Sequence, residues 1–272
     1  MDKLLLKGAS VNKLGLGTYR LLGQEGRSVI QEAIKLGYTH IDSAKFYDNE
    51  EEVGLAMAQS GADREKLWLT TKIWFTDLSK EKFLPAVEDS LRKFKTDYVD
   101  LLLIHWPNPE IPLGETIDQL LEAQHKQYAR FIGVSNFNSK LIKEATKLGA
   151  DMLTNQVEYH PFLSQKTLLD TQSELNISLT AYRPIAKGTV NDNPVIKALA
   201  EKYGKSGVQI TLRWLVQQPM VMAIPMTSKV HRLKENADVF DFQLTEEEMA
   251  AITELTLQNQ RFVIPDWPVE WD

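Results

Sequence analysis

The sequence predicts a single (β/α)8 (TIM) barrel, and three observations lead to that prediction. Eight short, β-rich apolar runs alternate with longer segments in which apolar residues recur at intervals of three and four. Alternating strand and helix patterns are typical of parallel α/β folds, and eight of them favour a closed barrel. The 272 residues suit one such barrel, and no linker rich in Pro, Gly or Ser divides them. We therefore expect one domain spanning residues 1–272.

The predicted strands can be placed in order along the chain. A β-hairpin is expected over Lys3–Val11, with Gly8 at its centre, before the barrel begins. The eight expected barrel strands are Leu14–Tyr19, Thr39–Asp42, Leu67–Lys72, Val99–His105, Phe131–Val134, Leu153–Glu158, Ile177–Tyr182 and Val221–Pro225. Each of them is followed by a segment with helical spacing, as a barrel of this kind requires.

Glycines and polar residues predict where the intervening helices end and begin. Glycine accepts the left-handed conformation that follows a helix, so three glycines are expected to end helices: Gly37, Gly149 and Gly204. Two pairs have the spacing of capping boxes that open helices: Asn49 with Glu52, and Thr245 with Glu248. An open, doubly wound sheet is the alternative fold, but no Gly-x-Gly-x-x-Gly motif follows a predicted strand.

The composition excludes several classes of function. Asp and Glu outnumber Lys and Arg by 37 to 31, and this acidic balance argues against nucleic acid or an anionic membrane as a partner. The chain has no cysteine, which excludes disulfides, thiolate metal sites and cysteine nucleophiles. The first residues lack the apolar core of about 7–15 residues that a signal peptide needs. We expect a soluble, cytoplasmic protein.

Four titratable residues fall at or just after the ends of three successive predicted strands: Asp42, Tyr47, Lys72 and His105. The C-terminal strand ends of such a barrel meet at one rim, where the active sites of these barrels lie. Each residue alone has a structural explanation, as a turn cap, a half-buried aromatic or a packed histidine. A lysine at an inward strand end needs an anionic partner, however, and together the four predict a catalytic site.

These residue types suit the reduction of a carbonyl group. The pKa of tyrosine is ordinarily about 10, and a neighbouring ammonium stabilises the phenolate, so Lys72 is expected to lower the pKa of Tyr47. Asp42 would hold this ammonium in place, and a neutral His105 could hydrogen-bond and orient a carbonyl oxygen. Tyr47 would then act as general acid, with hydride supplied by a cofactor.

Longer motifs around these residues resemble those of the aldo-keto reductases. They are GYTHIDSAKFYDNEEEVG (37–54), TTKIW (70–74), DYVDLLLIHWP (97–107), IGVSNF (132–137) and NQVEYHP (155–161). The motifs occur in the family's order and cover nearly the whole chain. The resemblance implies NADPH-dependent reduction of small aldehydes and ketones, with Tyr47 as general acid, Asp42 and Lys72 tuning it, and His105 orienting the substrate.

The same resemblance implies which residues bind the nicotinamide half of the cofactor. Ser135, Asn136 and Gln156 would hydrogen-bond the carboxamide, and Tyr182 would stack on the ring. Ser135-Asn136 also has the composition of a helix N-cap, and the two roles are compatible. Three residues match the segment near the middle of the cofactor: Gly17, Thr18 and Tyr19.

The phosphate end departs from the family's motifs at two positions. Met226 stands where lysine is usual, and Arg183 stands where serine is common after the stacking tyrosine. Arg183 or Lys187 could approach the pyrophosphate. The residues expected to bind this end of the cofactor are Arg183, Thr227, Lys229, Arg232 and Asn236. These basic groups and the resemblance together favour NADPH.

An aromatic substrate pocket is expected around the predicted general acid. Its walls would be Tyr19, Phe46, Trp74 and Trp106, while Trp267 and Trp271 lie in a tail that family members fold over the site. Aromatic walls exclude water from a hydride transfer. The resemblance favours a monomer and leaves 2,5-diketo-D-gluconate and methylglyoxal unranked as substrates.

Three other functions compete with this interpretation. Lys72 could form a Schiff base in an aldolase, although Asp42 beside it would keep the amine charged. The chain could be a catalytically silent nucleotide-sensing protein of the same fold, although the four catalytic residues are intact. A metal hydrolase could use Asp42, His105, Glu158 and His160, but these lack any close ligand spacing, so no metal is expected.

Overall fold

The computed structural model describes residues 1–272, and its first element is the predicted antiparallel hairpin. Strands β1 (Lys3–Leu6) and β2 (Ala9–Asn12) pair around a turn in which Lys7 and Gly8 both have positive φ angles. The apolar face of this hairpin packs against residues from the beginnings of barrel strands, among them Trp68. The hairpin therefore closes the N-terminal end of the barrel.

Eight parallel strands form the barrel, which confirms the predicted fold class. In chain order they are β3 (Leu16–Gly17), β4 (His40–Asp42), β5 (Trp68–Ile73), β6 (Val99–Ile104), β7 (Ala129–Ser135), β8 (Met152–Glu158), β9 (Ser178–Tyr182) and β10 (Val221–Ala223). Leu14 bridges Ala223 in parallel, and the amide of Gly17 donates to the carbonyl of Pro225 at 3.1 Å. The first and last barrel strands are thereby joined.

Ten α-helices surround these strands. They are α1 (Gly23–Lys35), α2 (Glu50–Gln59), α3 (Phe83–Phe94), α4 (Leu113–His125), α5 (Ser139–Lys147), α6 (Lys166–Glu174), α7 (Pro194–Tyr203), α8 (Gly207–Gln217), α9 (Val230–Ala237) and α10 (Glu246–Glu254). Gly37, Gly149 and Gly204 have the positive φ angles expected after helices, and Thr245 and Glu248 form the predicted capping box. No helix combines the length and apolar character needed to cross a membrane.

Asn49 does not form the predicted capping box with Glu52. It precedes α2, but its side-chain amide turns inward and donates to the carbonyls of Thr18 and Leu21, while its oxygen accepts from Ser43. These three hydrogen bonds to loop residues use the side chain of Asn49, so it does not cap the helix. Asn49 joins the loops that follow the first two barrel strands and helps to shape the C-terminal rim.

Ser135 and Asn136 likewise do not cap a helix. Ser135 is the last residue of β7, and Asn136 has a positive φ of 61°. The residue that caps α5 is Asn138, whose side chain accepts a hydrogen bond from the amide of Leu141. The side chains of Ser135 and Asn136 instead make hydrogen bonds along the rim of the barrel.

The helices pack on the barrel through one large apolar core, and α2 approaches α3 closely at Gly54. A Cβ atom at Gly54 would lie 2.5 Å from the carbonyl oxygen of Phe94, which is backbone and cannot move aside easily. On α4, by contrast, a Cβ at Gly114 would meet only a methyl of Leu148 at 3.9 Å. Of these two glycines, only Gly54 is required by the packing of the helices.

We predict that Gly54→Ala lowers the free energy of unfolding by about 1–3 kcal/mol, because overpacking outweighs the gain in helix propensity. The matched variant Gly114→Ala should raise it by up to about 1 kcal/mol, since nothing opposes the better helix former. Urea denaturation followed by circular dichroism measures both changes. Equal effects of the two substitutions would contradict the close approach of α2 and α3.

Candidate active site

A buried ion pair lies at the base of the C-terminal rim. Lys72 in β5 donates to Asp42 at the end of β4 with an Nζ–Oδ1 distance of 2.5 Å, and also to the carbonyl of Ser43 at 2.8 Å. The second carboxylate oxygen of Asp42 accepts from Nε2 of Gln156 in β8 at 2.7 Å. Both charged side chains are almost fully buried. The pairing of Asp42 with Lys72 expected from the sequence is therefore present.

Tyr47 lies directly above this pair. A short 3₁₀ turn over Lys45–Tyr47 follows β4 and places the phenol oxygen 3.4 Å from Nζ of Lys72. The turn ends at Asp48, which has a left-handed backbone conformation. The phenol is half-buried, so one side remains open to the rim.

His105 completes the group of four. It follows β6, whose pairing with β5 continues through a hydrogen bond from the amide of His105 to the carbonyl of Ile73. The imidazole stands nearly perpendicular to the ring of Tyr47, with 5.7 Å between ring centroids. Its Nδ1 is buried without a hydrogen-bond partner. Tyr47 and His105 thus form two sides of one small space.

The pKa of Tyr47 shifts in the direction opposite to the one expected from the sequence. Burial raises it well above its ordinary value, and the nearby Asp42 and Tyr19 add to this rise. The expectation considered only the ammonium of Lys72 and left out the burial of the phenol, which is the largest cause of the shift. Burial also lowers the pKa of His105 well below its ordinary value, with Lys72 acting in the same direction. A protonated phenol therefore faces a neutral imidazole.

The residues expected to hold the nicotinamide are joined to the ion pair by a chain of hydrogen bonds. The hydroxyl of Tyr182 donates to Oδ1 of Asn136 at 2.8 Å, and Nδ2 of Asn136 donates to Oγ of Ser135 at 3.0 Å. Ser135 in turn donates to the carbonyl of Gln156, whose side chain holds Asp42. These side chains are aligned along one rim from β9 to β4.

The segment from Gly17 to Tyr19 lies where the barrel closes. A Cβ at Gly17 would lie 2.7 Å from the carbonyl oxygen of Ile224, so only glycine fits there without a shift of backbone. Thr18 is fully buried, and its amide and hydroxyl both donate to the carbonyl of Asp42. Tyr19 is partly exposed, with its ring 5.1 Å from that of Tyr47.

A cavity of about 690 Å³ lies beside the rim, between the loop after β9 and helix α9. Thr227, Arg232 and Asn236 line it, as does Lys187. Arg183 and Lys229 do not line it, although the amide of Lys229 donates to Thr227 at 3.0 Å. Met226 lines this cavity as well, so the departure from the family's lysine falls within it.

Several residues of this cavity were not recognised from the sequence. His231, an exposed residue, lines the cavity, and Ser206 and Glu235 line it as well. Glu235 accepts a hydrogen bond from Ser206 at 2.7 Å, which joins α9 to the start of α8. Ser206 opens α8 in a capping box with Gln209, a motif that marks a helix start and not a binding residue, and the packing of α9 against α8 brings the three positions together.

Aromatic side chains surround the open side of Tyr47 and His105. Phe46 stacks on Trp74 with 4.0 Å between ring centroids, and Trp74 stands edge-on to the imidazole of His105 at 5.0 Å. Trp106 is buried and contacts Trp267 from the C-terminal tail, with centroids 5.6 Å apart. These rings form one continuous wall that leads to the reactive groups.

The residues considered above as ligands of a hydrolytic metal make hydrogen bonds to other side chains. Asp42 is held by Lys72 and Gln156, while Glu158 and His160 hydrogen-bond to each other at 3.0 Å. No group of three or more His, Cys, Asp or Glu side chains is arranged to hold a metal ion.

Asp42, Tyr47, Lys72 and His105 thus lie together at the C-terminal rim of a (β/α)8 barrel, where enzymes of this fold carry their active sites. A model described as the aldo/keto reductase family matches residues 13–256 of the chain. The chain is 40% identical to a methylglyoxal reductase of Yersinia pestis, over 97% of this chain and 100% of that protein. The chain therefore belongs to the aldo/keto reductase family and is an oxidoreductase.

Solved structures give the same relationship. A crystal structure described as a 2,5-diketo-D-gluconic acid reductase B superposes with a TM-score of 0.96 at 44% identity, covering 100% of this chain and 98% of that chain. An aldo-keto reductase from Bombyx mori, in complex with NADP, has a TM-score of 0.90 at 35% identity and covers 98% and 96%. The likeness extends over the whole barrel.

The lowered pKa of His105 predicts an acid-sensitive fold. Below about pH 6.5 His105 binds a proton in the unfolded chain but stays neutral in the folded one. The free energy of unfolding therefore falls as the pH falls, by up to about 1.4 kcal/mol per pH unit. Burial lowers the pKa of His40 and acts in the same direction. The free energy of unfolding, measured with urea at several pH values, should fall less steeply between pH 7 and pH 5 in His105→Asn than in the unaltered protein. The exposed His125→Asn is the control, and equal slopes in all three proteins would contradict the prediction.

Proposed function

We propose that this protein reduces small aldehydes and ketones to alcohols with NADPH, and that Tyr47 is the general acid. Methylglyoxal and 2,5-diketo-D-gluconate are the proposed substrates, because relatives described as their reductases resemble the chain over nearly its whole length. The observation that carries the proposal is the phenol of Tyr47, 3.4 Å from Lys72 and opposite the ring of His105.

The four residues divide the work of one proton transfer. A carbonyl oxygen between Tyr47 and His105 is within reach of both side chains, and the neutral imidazole orients it by a hydrogen bond. Tyr47 keeps its proton until negative charge develops on that oxygen. Lys72 then stabilises the phenolate, and Asp42 keeps the ammonium in position. When bound, the nicotinamide supplies the hydride.

The residues present fit a dinucleotide that carries an additional phosphate. Arg232 and Lys187 offer cations in the cavity beside the rim, while Thr227 and Asn236 offer hydroxyl and amide groups. The polar chain from Tyr182 to Gln156 gives the hydrogen-bonding groups that an amide needs, next to a flat aromatic surface. Ser135, Asn136 and Gln156 would hold the carboxamide.

The proposal is tested by following NADPH oxidation with methylglyoxal and with 2,5-diketo-D-gluconate. We expect turnover of both carbonyls and a fall in kcat of at least about a hundredfold in Tyr47→Phe, because that variant lacks the hydroxyl that would donate the proton. NADPH affinity, measured by fluorescence titration, should be nearly unchanged. A Tyr47→Phe variant with most of its kcat would contradict the assignment. Tight NADPH binding without turnover would instead favour a nucleotide-sensing protein.

The cavity also makes a prediction about cofactor preference. Met226→Lys adds a cation beside Thr227, so the ratio of kcat/KM for NADPH to that for NADH should rise by about tenfold. Arg232→Ala should lower the same ratio by about as much, because it removes an anion-binding group. Lys234→Met, on the same helix but outside the cavity, is the charge-matched control. Unchanged ratios in Met226→Lys and Arg232→Ala would place the cofactor phosphate elsewhere.

Four further expectations complete the proposal. They concern the whole molecule: one domain, a monomer in solution, a location in the cytoplasm, and no nucleic-acid or membrane partner. All four remain predictions.

A further inference from the structure

The last residues of the chain cross the C-terminal mouth of the barrel as an extended segment, residues 260–272, here termed the strap. It begins where the amide of Gln260 donates to the carbonyl of Phe162 at 2.7 Å. The strap has no helix or strand of its own. Its position must therefore come from contacts with the barrel, and two carboxylates supply them.

Glu158, at the end of β8, holds the first part of the strap. One of its carboxylate oxygens accepts the amide of Phe262 at 2.7 Å, and the other accepts the amide of Val263 at 2.8 Å. His160 adds a third hydrogen bond at 3.0 Å, and the carboxylate is completely buried. Burial raises the pKa of Glu158, but these three partners lower it more, so that the carboxylate stays charged.

Asp272 holds the other end of the strap on helix α5. Its carboxylate accepts from the amide of Ser139 at 2.9 Å and from the hydroxyl of the same residue at 3.0 Å. Asn138, the N-cap of α5, donates to the carbonyl of Glu270 at 3.1 Å. A negative charge at a helix N-terminus is favourable, but the side chain of Asp272 is exposed. The Asp272 anchor is therefore the weaker of the two.

The aromatic wall of the proposed substrate pocket lies between these two anchors. Trp267 stacks on Phe75 with 4.8 Å between centroids and meets Trp74 and Trp106 edge-on. Trp271 also meets Trp106 edge-on, and the guanidinium of Arg261 lies over its ring, 3.7 Å from the ring centroid. No hydrogen bond ties either indole to the barrel, so the anchors at the two ends fix where the rings stand.

We propose that Glu158 and Asp272 are positioning residues for substrate specificity: by fixing the strap at both ends they hold Trp267 against bulky carbonyl substrates. The aromatic wall runs from His105 through Trp74 to Trp267. We expect a three-carbon substrate at Tyr47 and His105 to be too short to contact the ring of Trp267, whereas an aromatic substituent on the same carbonyl group would contact it. This inference rests on the proposed reductase function.

The test compares methylglyoxal with phenylglyoxal, which carry the same reacting dicarbonyl group and differ in a methyl or phenyl substituent. We expect Asp272→Asn to lower the phenylglyoxal-to-methylglyoxal ratio of kcat/KM by about fivefold, mainly through KM for phenylglyoxal. Glu158→Gln should lower it further, because a neutral amide cannot replace both acceptor oxygens. Asp266→Asn, an exposed strap residue without a hydrogen-bond partner, is the matched control and should leave the ratio unchanged.

A double variant separates positioning from simple loss of structure. Asp272→Asn should add little to the effect of Trp267→Ala on the ratio, since the anchor acts through that ring. Hydrogen exchange should increase at residues 264–272 in Asp272→Asn, while the barrel strands keep their protection. Additive effects on the ratio, or an equal loss with both substrates, would overturn the inference. If the unaltered enzyme reduced neither carbonyl, the proposed function itself would fail.

Discussion

The buried pair of Asp42 and Lys72 is the interaction on which the rest of the rim depends. Two opposite charges can lie out of water only when every remaining donor and acceptor is satisfied. Here the carbonyl of Ser43 and the hydroxyl of Tyr47 accept the other two hydrogen bonds of the ammonium, and the amide of Gln156 donates to the second carboxylate oxygen. Gln156 lies 114 residues beyond Asp42 in the chain, so the pair ties together strands from both halves of the barrel. The loop that carries Tyr47 begins directly after Asp42, so the buried pair also fixes where this loop starts.

Burial sets the protonation states above the pair. The phenol and the imidazole are both kept neutral because the low polarity of the site disfavours the phenolate and the imidazolium alike. In the resting protein a charge on either of these two rings is therefore unfavourable. The proposed reaction creates charge there only briefly, next to an ammonium that is already in position and needs no reorganisation.

The fold could be predicted from the sequence because strand and helix periodicities repeat eight times, and the four rim residues followed because parallel strand ends converge. The direction of the Tyr47 pKa shift could not be predicted, because it depends first on how deeply the phenol is buried and then on the charge of the nearby Asp42. Asn49 was assigned by spacing to a cap, yet loop carbonyls distant in sequence captured it. His231 reached the cavity through helix packing, which leaves no local pattern.

The two ends of the chain occupy opposite ends of the barrel axis. The hairpin of β1 and β2 closes the N-terminal end, whereas Asp272 lies at the mouth, bound to the start of α5. A fusion partner or purification tag attached before Met1 would therefore project away from the reactive groups. The same tag placed after Asp272 would lie at the entrance of the site and would disturb the contact of Asp272 with α5. The position of a tag would therefore alter the site itself.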